Sequence, residues 1–271
     1  MTLVDDNSWS TYHGLQIELR RSLSRGLTLN ANYTWSKSLG DFFATPNSNA
    51  SDGYTTLRNR NLDKAPSPFD LRHTLNVFWT YELPFGRGRR FLSNAPGALD
   101  RLVGGWTLSG ITRLNSGRPY LLTSGRATFN QNEAGVILKG ISVAELQRKM
   151  RQFSPGPNRN AYHADPTLIG PDGRANPQFL ESPTTPGQLG QFIYLYGTPL
   201  VVNDLALLKE IPIRERVKFN LQIEMLNAFN HPVLNVGGLG GTLSIDSTSF
   251  GQTTSTLVGP RNIQIRAHIT W

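Results

Sequence analysis

The chain of 271 residues contains no cysteine, which excludes a disulfide framework, cysteine-ligated zinc and a thiol nucleophile, and suits passage through an oxidising compartment. Charged residues are few at 17%, and hydrophobic ones reach only 38%, both low for a packed soluble domain. No stretch approaches the roughly 18 to 20 apolar residues of a spanning helix. Met1-Thr2-Leu3-Val4-Asp5-Asp6 is not a signal peptide, so an exported product is expected to carry its signal upstream, and the chain reads as a fragment or a late-starting gene product. Acidic residues are outnumbered, 19 against 27 Lys and Arg, for a net charge of +8. The basic residues are scattered without a long run or interleaved aromatics, so no nucleic-acid partner is expected.

Catalytic patterns are missing as well. Neither His-Glu-x-x-His nor Gly-x-Ser-x-Gly occurs, and His13, His73, His163, His231 and His268 lack metal-ligand spacing. His163 with Asp165, or Asp70 with His73, could be read as acid–base pairs, and both read better as solvated loop residues. The reading is therefore of a non-enzyme, with no catalytic residue, no cofactor and no metal.

What is plentiful is Gly (26), Pro (17) and aromatic residues (10%), a composition of many strands joined by turns. Strict period-2 alternation recurs along the chain. Leu27, Leu29, Ala31, Tyr33 and Trp35 alternate with Thr28, Asn30, Asn32, Thr34 and Ser36. Leu71, His73, Leu75, Val77, Trp79, Tyr81 and Leu83 oppose Arg72, Thr74, Asn76, Phe78, Thr80 and Glu82. Val217 to Met225 repeats the pattern, and Ile263, Ile265, Ala267, Ile269 and Trp271 oppose Asn262, Gln264, Arg266, His268 and Thr270. Weaker members lie at Leu15 to Arg20, at Trp106 to Leu114, and at Asp204 to Ile211, where Leu205, Ala206, Leu207 and Leu208 leave the phase open.

Seven strands follow. Their segments, about 9 to 13 residues, exceed the usual strand of about 5 or 6 and match the roughly 9 to 11 tilted residues that cross a bilayer. Connections alternate short with long, the long ones at about 37–70, 117–199 and 228–260, as short periplasmic turns and long external loops do in a membrane barrel. The fold expected is all-β, an antiparallel transmembrane β-barrel segment with its C-terminus periplasmic. Trp9, Tyr12, Tyr33 and Trp35 then fall at the outer rim, and Trp79, Tyr81, Trp106 and Trp271 at the inner rim, as two aromatic girdles. Glu18, Arg20, Arg72, Arg113, Lys218, Glu224, Arg266 and His268 point into the lumen, where charge is tolerated.

In the longest loop, Ser142 followed by Glu145 is a capping box, and Val143, Leu146, Met150 and Phe153 form a helical stripe, predicting a short helix over about 143–153. Pro155, Pro157, Pro166, Pro171, Pro177, Pro183 and Pro186 predict extended loop beyond it. Gly237, Gly238, Gly240 and Gly241 read as flexible loop. Asn32-Tyr33-Thr34 and Asn49-Ala50-Ser51 match the short glycosylation pattern.

Several longer words are distinctive. Tyr33-Thr34-Trp35-Ser36-Lys37-Ser38, Phe69-Asp70-Leu71-Arg72-His73, Glu82-Leu83-Pro84-Phe85-Gly86-Arg87-Gly88, Gly105-Trp106 and Ser116-Gly117-Arg118-Pro119 occur in that order. They are followed by Glu224-Met225-Leu226-Asn227-Ala228-Phe229-Asn230-His231-Pro232, Phe250-Gly251 and Pro260-Arg261-Asn262-Ile263-Gln264. Together they resemble the Oar-like branch of TonB-dependent outer-membrane transporters, across nearly the whole chain. The resemblance implies a place in the Gram-negative outer membrane, in a barrel of roughly 22 strands plugged by an N-terminal domain. It implies uptake of a large or scarce solute, energised by TonB through that plug. Neither plug nor signal is in residues 1–271, which read throughout as the C-terminal part of the barrel domain. Ile263, Ile265, Ile269 and Trp271 resemble the family's terminal assembly signal, read by the barrel-assembly machinery. Outer-membrane lipid, that machinery, the plug, TonB and a solute are the implied partners. A structural or adhesive outer-membrane protein that uses the barrel as an anchor is the alternative.

Overall fold

The computed structural model describes residues 8–24, 26–41, 56, 58–128, 133–151, 154–155, 161–214, 216–236, 241–253 and 255–271. Asn49, Ala50, Ser51, Phe153, Pro157, Gly237, Gly238 and Gly240 lie outside them.

Seven long strands form one antiparallel meander: β1 (Ser10–Ser24), β2 (Leu27–Gly40), β3 (His73–Glu82), β4 (Trp106–Asn115), β5 (Leu200–Arg214), β6 (Val217–Leu226) and β7 (Asn262–Thr270). Each pairs with its sequence neighbours, in the order β1 to β7. The fold is all-β, as alternation requires. Among the described residues no helix is long and apolar enough to cross a membrane. The first strand is longer than the Leu15 to Arg20 alternation predicts.

Register keeps the two faces distinct across the whole sheet. Leu29, Trp79, Gly110, Leu205, Met225 and Ile263 are successive cross-strand partners on the apolar face. Glu82, Thr107, Leu208, Gln222 and Arg266 are successive partners on the polar one. The phase of β5 is thereby fixed, with Leu205 and Leu207 on the apolar face and Ala206 and Leu208 on the polar face. At Gly110 an added Cβ would lie 2.6 Å from the Trp79 indole, so only glycine lets that ring lie flat across β4. Tyr12 departs from the predicted girdle. Its alternation with Leu15 and Ile17 puts it on the polar face, where its ring covers Gly14 with the phenol oxygen 3.0 Å from the place of a Cβ.

Sheet faces this apolar hold no interior. The hydrophobic core lies instead in the two long connections, and all its members fall between Tyr120 and Phe250, outside the seven strands. Tyr120, Leu122, Leu146, Leu168, Leu195 and Phe250 are fully buried there. The prolines of 117–199 predict extended loop, and here the structure differs. Pro119–Thr123 pairs with Ile193–Tyr196 and, in parallel, with Thr242–Ser244; Ala161–Tyr162 pairs with Ser154–Pro155 and with Gln252–Thr253. Segments 117–199 and 228–260 therefore fold together as one cap over one end of the sheet. A wall whose apolar side faces hydrocarbon gains nothing from an inner core, whereas a water-facing cap must bury its own apolar residues.

Ser142 caps the helix, its Oγ accepting from Glu145 N at 3.2 Å, but the helix ends early, at Val143–Lys149. Gln147 on that helix exchanges two hydrogen bonds with the Tyr196 backbone, at 2.6 and 3.0 Å. Glu133 accepts from the backbone of Ser124, Gly125 and Gly135 and from the Ser124 hydroxyl. The 228–260 connection is anchored by Asn227 and Asn230, both left-handed at φ 47° and 51°, a conformation asparagine tolerates. Asn227 bonds to His231 and to the Gly259 carbonyl, and Asn230 accepts from Arg261 N, closing the loop at its base.

Candidate functional site

Of the residues predicted to face the lumen, Glu18, Arg20, Arg113, Lys218, Glu224, Arg266 and His268 share one face of the sheet, because their strand parities agree through continuous register, and Arg72 lies just before β3. The wall pairs several of them with residues the sequence did not single out. Arg113 meets Asp204 at 2.8 Å, and Lys218 meets Glu210 at 2.9 Å. Glu18 and Arg20, neighbours on one face of β1, are 2.5 Å apart. Gln222 donates to Glu224 at 2.6 Å. Asp204 and Glu210 were hidden by the ambiguous phase of β5. Phe78 and Ile111 interrupt this polar face as cross-strand partners, 45% and 39% exposed, beside Asp204 and Glu224.

Where the face meets the cap, a charged cluster is built from three parts of the chain. Asp70, with no exposure at all, accepts from Ser38 N at 2.7 Å, from the Tyr196 phenol at 2.8 Å and from Lys37 Nζ at 3.3 Å. Burial, and then the hydrogen bond to the Asp70 carboxylate, push the Tyr196 phenol up to about 12. Beside it, a cleft of about 330 Å³ opens between the rim and the cap, lined by Asn115, Arg118, Leu200, Leu234, Asn235 and Leu257 among others. The side-chain oxygens of Asn115 and Asn235 are buried without a hydrogen-bond partner. Two unpaired acceptors beside an arginine suit a polar molecule that carries both donors and acceptors.

The two acid–base pairs considered from the sequence do not come together, and in each one partner is buried, Asp70 and His163, while His73 is exposed. His73 lies on the apolar face, its Nδ1 2.8 Å from the Tyr33 hydroxyl, while Asp70 is held in the cluster above. His163 is 3% exposed with neither ring nitrogen bonded, and burial pulls its pKa down to about 4. Asp165 turns instead to the hydroxyl and amide of Thr167 and to Lys149, which hold its carboxyl below the usual range. Among the described residues no three His, Asp or Glu side chains converge as a metal site requires.

The aromatic residues lie as follows. Tyr33 and Trp35 stand on the apolar face near the cap, and Trp79, Tyr81 and Trp106 on the same face toward the turns. Trp9 is bound to Asp41 through its backbone and carries Lys64 over its ring at 5.9 Å. Trp271, just beyond β7, is 92% exposed. Ile263, Ile265 and Ile269 are exposed on β7, whose outer edge has no partner strand among the described residues. Lys209 is the unexpected member of the apolar face. It is nearly fully buried, donating to the Gly104 carbonyl and lying 5.2 Å over the Trp106 ring.

A single meander with one greasy face, one charged face and a folded cap defines a membrane β-barrel wall. Residues 1–264 match the family described as "Outer membrane beta barrel domain", and the chain belongs to that family. Neither a curated protein nor a solved structure matches it. The wall is therefore that of the outer membrane.

Proposed function

We propose that this chain is part of the wall and cap of an outer-membrane transporter that takes up a large or scarce solute, energised by TonB through a plug domain. The C-terminus lies on the periplasmic side and the cap outside the cell. The observation that carries this reading is the charged face of the sheet: Arg113–Asp204 and Lys218–Glu210 lie on the face opposite the apolar one, and a cleft at the cap holds two unpaired amide oxygens. Charge of both signs on a lumen wall suits contact with a second protein element or a polar solute. The motifs named above resemble TonB-dependent transporters and support the same reading. No catalytic role, cofactor or nucleic-acid partner is part of it.

The adhesive or anchoring alternative draws on one feature, the independent hydrophobic core of the cap. Purified periplasmic TonB domain, offered to the full-length gene product in detergent, separates them. Saturable binding that is abolished by deleting the segment upstream of the barrel is expected. A product that lacks a plug and binds no TonB would refute the transport reading and leave the anchor.

A further inference from the structure

The connection between β3 and β4, residues 83–105, is folded and exposed at once. Gly86 N donates to Phe91 O at 3.0 Å and Phe91 N to Pro84 O at 2.9 Å. Asp100 Oδ1 accepts from Arg87 N at 2.6 Å, and the Gly86 and Gly104 backbones pass so closely that a Cβ on Gly86 would lie 2.7 Å from Gly104 Cα. A short helix, Gly97–Val103, completes the unit. A segment held this firmly normally turns its large apolar side chains inward. Here Phe85, Phe91, Leu92, Leu99 and Leu102 are 40%, 48%, 50%, 40% and 71% exposed. Leu92 stands outward at φ 59°, a strained setting for leucine.

The position of the segment says what covers it. It hangs from the two middle strands, with β1 and β2 on one side and β5 to β7 on the other, so strands added at the sheet's open edges do not reach it. It is continuous with the apolar face: Leu102 O accepts from the Trp106 indole at 2.9 Å, and Trp106 with Lys209 begins that face. Arg87, Arg89, Arg90 and Arg101 all lie in this segment, with Asp100 its only acidic residue. Arg90 lies 5.5 Å over Phe91, and Arg89 pairs with Glu82.

We propose that residues 83–105 form an interfacial lipid anchor. Its Phe and Leu side chains sit at the boundary between headgroups and acyl chains, and Arg87, Arg90 and Arg101 engage anionic phospholipid headgroups. Exposed aromatic and aliphatic residues beside arginines are the composition of interfacial segments. The assignment rests on the reading that the apolar face of the wall meets lipid.

Because residues 1–271 have no cysteine, single cysteines placed there can carry an environment-sensitive fluorophore once any cysteine elsewhere in the full-length product is replaced by serine. Leu102→Cys tests the anchor and Leu207→Cys, on the apolar face of β5, reports the wall. The labelled full-length product is reconstituted in vesicles of phosphatidylcholine alone or with phosphatidylglycerol. Both labels are expected to be quenched by lipid-borne quenchers, shallowly at 102 and deeply at 207. Phosphatidylglycerol should be enriched around the 102 label, and Arg87→Gln, Arg90→Gln and Arg101→Gln together should reduce that enrichment roughly five-fold or more at low salt. High salt applied to the unmodified segment should do the same, which covers failure of the triple variant to fold. Quenching at 207 without quenching at 102 overturns the anchor alone. Absence at both overturns the lipid-facing wall and the anchor with it. Equal response in the two vesicle types, or shielding at 102 only when a protein extract is added, also overturns it.

Discussion

The Tyr196 phenol donates to Asp70 Oδ2 at 2.8 Å, and this contact fastens the cap to the rim of the wall. Asp70 leads into β3, Tyr196 ends a cap strand, and the Ser38 amide on β2 bonds the same carboxylate. Removing the phenol with Tyr196→Phe should cost about 1 kcal/mol, since Asp70 keeps its other donors. Asp70→Ala should cost about 2 to 3 kcal/mol, because it removes a buried acceptor from the part-buried Ser38 amide, the Tyr196 phenol and Lys37 together. Hydrogen exchange at Ser38 and proteolysis within 117–199 report both, and equal effects of the two variants would contradict this ranking.

His163 makes the cap sensitive to acid. Its folded-state pKa of about 4 lies below the ordinary 6.5, so the stabilising condition holds fully above pH 6.5 and is lost as pH falls toward 4. The full loss is roughly 3 kcal/mol. Exchange protection of residues 161–170 should fall through that window, and His163→Phe should flatten the pH dependence. An unchanged profile in the variant would count against the assignment.

Gly110→Ala should damage the wall far from either rim. The new methyl would meet the Trp79 ring at 2.6 Å, and overpacking of this kind costs about 1 to 3 kcal/mol. Adding Trp79→Leu should restore stability. Thermal unfolding of the outer-membrane product measures both, and a failure of rescue would show that the ring contact is not the cause.

An odd meander has edge strands, β1 and β7, that run in the same direction. Closing the sheet on itself would need a parallel pair, so an odd number of further strands is required for an antiparallel ring. Each unpaired backbone group in lipid costs several kcal/mol. Residues 1–271 expressed alone should therefore give no folded, heat-modifiable monomer on a detergent gel, and a sharp folded band would refute this.

The wall was legible because lipid and lumen impose opposite demands on alternate residues, so parity alone assigned Arg113, Lys218 and His268 to one face. Parity failed where four apolar residues run together at Leu205 to Leu208, and only pairing with Gly110 and Met225 resolves them. It was also misapplied at Tyr12, whose chemistry suits a girdle but whose position alternates with Leu15. The cap was illegible for a different reason. Its strands are two to five residues long and their partners lie far away, as Thr242–Ser244 does from Pro119–Thr123, so no local period marks them. His163 and Asp70 looked solvated because sequence carries no signal of burial in a segment without periodicity.

The stitching of the cap from two connections sets the order in which it can form. Tyr120 and Phe250 belong to one core, and the Gln252–Thr253 strand pairs with Ala161–Tyr162. The core therefore stays incomplete until residue 253 has been delivered, by which time β1 to β6 have all been made. Its closure entropy is spent on contacts as distant in sequence as Leu121 with Thr242, unlike the hairpins of the wall, which join near neighbours. Hairpins register early and the cap condenses late, so a slip of one residue in β5 or β6 would misplace both halves of the cap together.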